Sequence, residues 1–165
     1  MAATNLAGTP VRLAGEFPVK GNSVKNFMAV KQDLSEFSLN DFKGKKKVLN
    51  IFPSIDTDIC ARSVRAFNKK ASELENTEVI CLSFDLPFAH KRFCGAEGIK
   101  DVVTGSLFRE PDFARDNGLL IEDTPLKGLT ARAVIVLDEA NTVLHAELVD
   151  DIKHEPDYDA AISVF

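Results

Sequence analysis

Two short runs of branched apolar residues, with an amphipathic stretch between them, most constrain the fold of this chain. The runs are KKVLNIF (Lys46–Phe52) and EVICLSF (Glu78–Phe84), and such runs are typical of buried strands in parallel sheets. Four apolar residues at helical spacing form one stripe between them: Val64, Phe67, Ala71 and Leu74. The sequence therefore predicts a strand, a helix and a second strand at the centre of one folded unit.

Further segments on both sides extend this pattern. DLPFAHKRFCGAEG (Asp85–Gly98) begins with Asp and Pro and ends with Gly, which predicts a second helix. ARAVIVLD (Ala131–Asp138) is predicted as another buried, parallel-type strand, with TVLHAELV (Thr142–Val149) as its antiparallel hairpin partner. EPDFARDNG and EPDYDAAISVF each predict a helix after a Pro-Asp start, and the first residues of the chain predict a small hairpin.

The order of these segments predicts an α/β protein with a mixed central sheet and helices on both faces. This is the order of a thioredoxin-like fold with an N-terminal β-hairpin. A length of 165 residues suits one domain, so residues 1–165 are predicted to form a single domain.

The composition narrows the classes of function. Apolar residues make up 45% of the chain and charged residues 27%, which is typical of a protein with a packed core. We expect no membrane partner, because no apolar run approaches the ~20 residues of a membrane helix and the N-terminus shows no secretory signal. The net charge of -5 argues against nucleic acid as a partner, and the basic run Lys43–Lys47 is predicted to be a solvated turn.

The chain has three cysteines, Cys60, Cys81 and Cys94, which are too few and odd in number for a disulfide-stapled secreted scaffold. They indicate a reducing compartment, the cytoplasm, in which any disulfide is transient. Their spacing excludes a CxxC dithiol. Cys81 lies inside a predicted buried strand and is interpreted as a core residue.

Cys60 falls in the first turn of the first predicted helix, where unpaired backbone N–H groups favour negative charge. A free thiol has an ordinary pKa near 8.5, so a helix start alone leaves most of it protonated at neutral pH. A second donor or cation is needed, and Arg132 and Arg65 are the candidates. Thr57 can donate its hydroxyl hydrogen to the sulfur, and Pro53 can shield the thiolate. Position alone leaves a reactive thiolate and a packed apolar residue equally open.

Cys94 lies on the second predicted helix, beside Lys91 and Arg92. A reactive thiol without CxxC is oxidised by peroxide to a sulfenic acid, which condenses with a second thiol to a disulfide. Cys94 suits this second role, and a half-buried structural cysteine is the alternative.

Two other classes of function remain open. A non-catalytic redox sensor or binding module on the same fold would use the same Cys60 chemistry, and multiple turnover separates it from an enzyme. A metal site built from Cys60, Cys94, His90 and His145 lacks metal-ligand spacing except for one pair four residues apart. We therefore expect no metal and no cofactor.

Other polar residues have simpler interpretations. The histidines, His90, His145 and His154, are predicted to lie at the surface or at the edge of the core. The acidic cluster Glu147, Asp150 and Asp151 is predicted to be a solvated strand end.

Several motifs together resemble one family. FPSIDTDICARSVRAFN is similar to the peroxidatic-cysteine motif of the thiol peroxidases, the bacterial atypical two-cysteine branch of the peroxiredoxins. The likeness extends through DLPFAHKRFCGAEGI, TPLKGLTARAVIVLD and HEPDYDAAI, and it covers roughly residues 30–165. The resemblance implies a thioredoxin-like fold, a homodimer and an antioxidant activity. It also implies reduction of hydrogen peroxide and organic hydroperoxides, with thioredoxin as the electron donor.

The same resemblance implies a role for each site residue. Cys60 would be the peroxidatic cysteine and Cys94 the resolving cysteine, joined during turnover by an intramolecular disulfide. Pro53, Thr57 and Arg132 would form the active-site shell, and Cys81 aligns with a cysteine that the cycle does not require. A disulfide needs Cα atoms within about 7 Å, so two cysteines on separate helices predict local unwinding during turnover.

Overall fold

The computed structural model describes residues 3–165. Its strands are β1 (Thr4–Leu6), β2 (Thr9–Val11), β3 (Leu13–Ala14), β4 (Met28–Val30), β5 (Glu36–Ser38), β6 (Lys46–Ile51), β7 (Thr77–Ser83), β8 (Val103–Ser106), β9 (Leu120–Ile121), β10 (Ala133–Leu137) and β11 (Val143–Leu148). Its α-helices are α1 (Asp58–Ala71), α2 (Pro87–Glu97), α3 (Asp112–Asp116) and α4 (Tyr158–Ile162), and a 3-10 turn spans Leu39–Phe42. The predicted order of strands and helices is confirmed. No helix in this part of the chain is long and apolar enough to cross a membrane.

Seven strands form the central sheet in the order β11-β10-β6-β7-β8-β4-β5. β6, β7 and β8 are parallel and are connected by α1 and α2. β10 is fully buried but runs antiparallel to β6 and to β11, so the prediction of a parallel-type strand at Ala131–Asp138 is wrong. A continuous apolar run reports burial on both faces of a sheet and carries no information about strand direction.

The sheet has an apolar cluster on each face. One face packs against α1, α2 and α4, and its cluster contains the three cysteines, with Val48 and Val134 from the sheet. The other face packs against α3 and N-terminal segments, and its cluster includes Leu49, Ile80, Ile135, Phe27 and Phe113. The predicted mixed sheet with helices on both faces is therefore confirmed, and all three thiols lie on the α1 and α2 face.

The N-terminal hairpin predicted from the sequence is formed by β1 and β2. It is fastened to the segment after β11, because the Asp151 carboxylate accepts hydrogen bonds from the backbone N–H groups of Ala7 (3.1 Å) and Gly8 (2.9 Å). Asp151 is buried, so its prediction as part of a solvated strand end is wrong. Ile152, the next residue, donates its N–H to the Asn5 carbonyl at 2.8 Å, and this bond holds the backbone at Ile152 against the hairpin.

The basic run Lys43–Lys47 is only partly the solvated turn that was predicted. β6 begins at Lys46, and Lys47 is buried with its Nζ donating to Asn141 Oδ1 at 2.6 Å. This removal from water lowers the pKa of Lys47. Lys47 therefore stabilises the turn between β10 and β11, while Lys43 and Lys45 remain exposed.

Candidate active site

Cys60 lies in the first turn of α1, as the sequence predicts, and its side chain is completely buried. Thr57 is the N-cap residue, with extended backbone before the helix. The three cysteines are all free thiols. The Ala61 N–H donates to the Thr57 carbonyl at 3.0 Å, so Cys60 lies in the first turn, whose backbone N–H groups have no acceptor within the helix.

The Arg132 guanidinium contacts the Cys60 sulfur. Its Nη2 donates to Sγ at 3.2 Å, and its Nε donates to the Ile152 carbonyl at 2.9 Å. Arg132 is only 2% exposed, and its buried Nη1 has no hydrogen-bond partner among residues 3–165. The Arg132 guanidinium is therefore fixed by the Ile152 carbonyl at Nε and by the Cys60 sulfur at Nη2. Its Nη1 remains available as a hydrogen-bond donor.

Arg65, the other candidate cation, has a different partner. Its Nη2 bonds the Glu97 carboxylate of α2 at 2.7 Å, and 47% of its side chain is exposed. This carboxylate raises the pKa of Arg65. Of the two candidates, Arg132 is thus the one that the structure places against Cys60.

Pro53 and Thr57 lie in the loop that leads into α1. Pro53 is buried, whereas Thr57 is exposed. The Thr57 hydroxyl donates to the Ser54 carbonyl at 3.0 Å, so the expected donation to the Cys60 sulfur is not formed. The Thr57 backbone N–H donates to the same Ser54 carbonyl at 3.2 Å, so this short turn takes up both donors of Thr57.

Cys94 is buried on α2 with 5% of its surface exposed, so it is more buried than expected. Burial raises the pKa of its thiol, although a contact with Gln32 opposes the shift. Cys81, as predicted, is a core residue: burial raises its pKa to about 12. Asn50 Nδ2 lies 3.7 Å from its sulfur.

The two proposed reactive cysteines rest over different strands. Cys60 meets Arg132 at the start of β10, whereas Cys94 lies near Cys81 of β7 and near Gln32, which bonds Thr104 of β8. β10 and β7 are two strand positions apart, or about 10 Å. The residues that the two cysteines contact therefore belong to different strands of the sheet.

A polar network that the sequence did not reveal lies beside the loop that leads into α1. The Asp85 carboxylate accepts hydrogen bonds from Ser54 Oγ (2.7 Å), Ile55 N (2.7 Å) and Ser83 Oγ (2.6 Å). Ser83 Oγ also lies 2.8 Å from His90 Nε2 of α2. Asp85 was interpreted only as a helix start, yet an acidic residue directly after a buried strand is a signal for a site at the sheet edge.

The three histidines differ in environment. His90 is fully buried, so its placement at the surface or core edge is wrong, while His145 is partly buried and His154 is exposed. Among residues 3–165 there is no group of three His, Cys, Asp or Glu side chains that could hold a metal ion. The four residues considered for such a site do not converge as ligands.

His90 and His154 are expected to give opposite pH dependence of stability. Burial lowers the pKa of His90 from 6.5, so below pH 6.5 the unfolded chain binds this proton more readily and His90 destabilises the fold. Asp150 raises the pKa of His154, which contributes stability that is lost as the pH rises through that value. From pH 7.5 to 5.5 we expect His90→Gln to lose less stability than wild type, and His154→Gln to lose more.

Urea unfolding at the two pH values measures this difference. The two variants control for each other, because each removes one imidazole and the two removals are expected to change the pH dependence of stability in opposite directions. Equal losses in wild type and His90→Gln would contradict a buried, neutral His90.

Comparisons with known proteins show the family to which this chain belongs. A family profile described as Redoxin matches residues 19–162. A thiol peroxidase of Corynebacterium glutamicum is 53% identical over 163 residues, which cover 99% of this chain and 98% of that protein. The profile and this relative place the chain in a class of thiol-dependent redox enzymes.

Solved structures show the same fold. A peroxiredoxin-like protein from Aquifex aeolicus superposes with a TM-score of 0.93 at 36% identity, covering 99% of this chain and 96% of that one. A thiol peroxidase from Chromobacterium violaceum has a TM-score of 0.90 at 25% identity, covering 98% and 94%. The thioredoxin-like fold class is therefore confirmed, and the chain belongs to the thiol peroxidase family of the peroxiredoxins, which are peroxidase oxidoreductases.

Proposed function

We propose that this enzyme reduces hydrogen peroxide and organic hydroperoxides through Cys60, as the peroxidatic cysteine. The contact between Arg132 and the Cys60 sulfur is the observation that carries the proposal. The Cys60 thiolate attacks the terminal oxygen of ROOH, the S–O bond forms, and the O–O bond breaks. The sulfur is oxidised to a sulfenic acid, and the departing RO⁻ takes up a proton and leaves as ROH.

The side chains around Cys60 have distinct parts in this step. Arg132 Nη2 favours the thiolate, and its free Nη1 donates a hydrogen bond to the oxygen on which charge develops. Thr57 has already given its hydrogen to Ser54, so its oxygen is free to accept a hydrogen bond from the peroxide O–H. Pro53, buried in the same loop, shields the thiolate from water.

Cys94 is the resolving cysteine in this proposal. Its thiol attacks the Cys60 sulfur, an S–S bond forms, the S–OH bond breaks, and water leaves. The strands that the two cysteines contact, β10 and β7, are about 10 Å apart. This spacing supports local unwinding around Cys60, around Cys94, or around both before the bond forms. The dithiol of thioredoxin then reduces the disulfide and is itself oxidised.

The remaining expectations belong to the same proposal. Residues 1–165 act as one domain, and the family match over 19–162 supports this. The protein works as a homodimer in the cytoplasm, where a reducing environment suits three free thiols. Its role there is antioxidant defence.

Steady-state peroxide consumption with thioredoxin, its reductase and NADPH tests the function. We expect multiple turnovers with hydrogen peroxide and with an alkyl hydroperoxide. The rival function, a redox sensor, predicts a single stoichiometric oxidation of Cys60. That outcome, with an active thioredoxin system verified on a disulfide substrate, would replace the enzyme proposal by the sensor.

A further inference from the structure

One largely buried carboxylate joins the loop before Cys60 to the end of β7. Asp85 accepts three hydrogen bonds, from Ser54 Oγ and Ile55 N in the loop and from Ser83 Oγ at the end of the strand. Its side chain is only 10% exposed. A carboxylate that accepts several buried hydrogen bonds is costly to strip of its partners, so the loop is held firmly in this position.

The network continues from Asp85 into α2, the helix that carries Cys94. The Ser83 hydroxyl has one hydrogen, and its 2.6 Å contact with the Asp85 carboxylate uses it. The 2.8 Å contact between Ser83 Oγ and His90 therefore needs the hydrogen of His90 Nε2. His90 therefore donates to Ser83, and Ser83 donates to Asp85. This chain of hydrogen bonds links α2 to the loop before Cys60, called the Cys60 loop below.

Two ion pairs also join α2 to the loop before Cys60 and to α1, but they are exposed. Arg92 of α2 pairs with Asp56 of the loop, and Arg65 of α1 pairs with Glu97 of α2. All four side chains are between 37% and 66% exposed. Exposed ion pairs contribute little, so the buried Asp85 network carries most of the connection.

We propose that Asp85 is a positioning residue that holds the Cys60 loop against the Cys94 helix and so controls the resolving step. The inference rests on the proposed function, in which Cys60 must travel to Cys94. While the network is closed, Cys60 stays beside Arg132, where peroxide reacts with it. When the network opens, the Cys60 sulfenic acid reaches Cys94.

The state of the network then determines whether the Cys60 sulfenic acid forms a disulfide or a sulfinic acid. With the network open, the Cys94 thiol displaces water and forms the disulfide. With the network closed, a second ROOH oxidises the sulfenate to a sulfinic acid, transfers one oxygen to sulfur, and leaves as ROH. A weaker network favours the disulfide over the sulfinic acid.

The test uses full-length Asp85→Asn, which removes the charge and one acceptor oxygen. After hydrogen peroxide pulses in the presence of thioredoxin, intact-mass spectrometry measures the ratio of disulfide to sulfinic acid. We expect this ratio to rise about tenfold over wild type. Ser54→Ala, which removes one of the three bonds, is expected to move the ratio in the same direction by less, and it decides the test if Asp85→Asn does not fold.

Asp138→Asn is the matched control, because Asp138 Oδ1 accepts two backbone N–H bonds, from Ala140 and Thr142, in a distant turn. Its ratio is expected to equal that of wild type. An unchanged or lower ratio in folded Asp85→Asn or Ser54→Ala would overturn this inference and leave the proposed function intact. Absence of any Cys60–Cys94 disulfide in wild type would overturn both.

Discussion

Replacing Cys60 by serine is expected to abolish peroxide reduction, with a fall in rate of at least about a thousandfold. A serine hydroxyl beside Arg132 is not ionised at neutral pH and is a far weaker nucleophile than a thiolate. Cys94→Ser is expected to behave differently. It keeps a single oxidation of Cys60 but loses turnover with thioredoxin, because no second thiol condenses with the sulfenic acid.

Two measurements separate these outcomes. Steady-state assays follow peroxide consumption with the thioredoxin system, and a single pulse of peroxide followed by a sulfenic-acid trap and mass spectrometry follows Cys60 alone. Cys81→Ser is the matched control, since Cys81 is equally buried but its sulfur contacts Asn50, and its strand β7 lies two positions from β10 in the sheet. Full activity in Cys60→Ser would end the proposal, and full turnover in Cys94→Ser would end the resolving role of Cys94.

The elements that carry the two cysteines could be predicted from the sequence. The apolar stripe from Val64 to Leu74 and the Pro and Gly boundaries of α2 are local signals. Both helices form close to where these signals indicate, although α1 ends at Ala71 and Leu74 lies beyond it. Such signals depend on neighbouring residues alone. They place Cys60 at a helix start without showing what touches its sulfur.

Contacts between distant segments were harder to predict. Arg132 precedes β10, and strand alternation places it on the same face as Val134 and the cysteines, whereas Arg65 points outward to Glu97. The choice between the two arginines therefore depends on sheet order, which the local pattern does not contain. Asp85 was missed for the same reason, because its partners at Ser54 and Ile55 are some thirty residues away.

Replacing Arg132 by methionine is expected to slow the reaction of Cys60 with hydrogen peroxide by about a hundredfold to a thousandfold. The variant removes the Nη2 contact with the sulfur at 3.2 Å and the free Nη1 donor at once. Arg132→Lys keeps a positive charge but lacks the planar fork that reaches both the Ile152 carbonyl and the sulfur, so we expect an intermediate rate.

Competition kinetics of Cys60 oxidation measure this rate apart from thioredoxin recycling. Arg65→Met is the matched control, since it removes the other candidate cation, which bonds Glu97 and not the thiol, and its rate is expected to stay within about twofold of wild type. Because Arg132→Met leaves the buried Ile152 carbonyl without its partner, urea unfolding must show that the variant is folded. A folded Arg132→Met with the wild-type rate would mean that the guanidinium only packs against Cys60 and that another donor stabilises the departing oxygen.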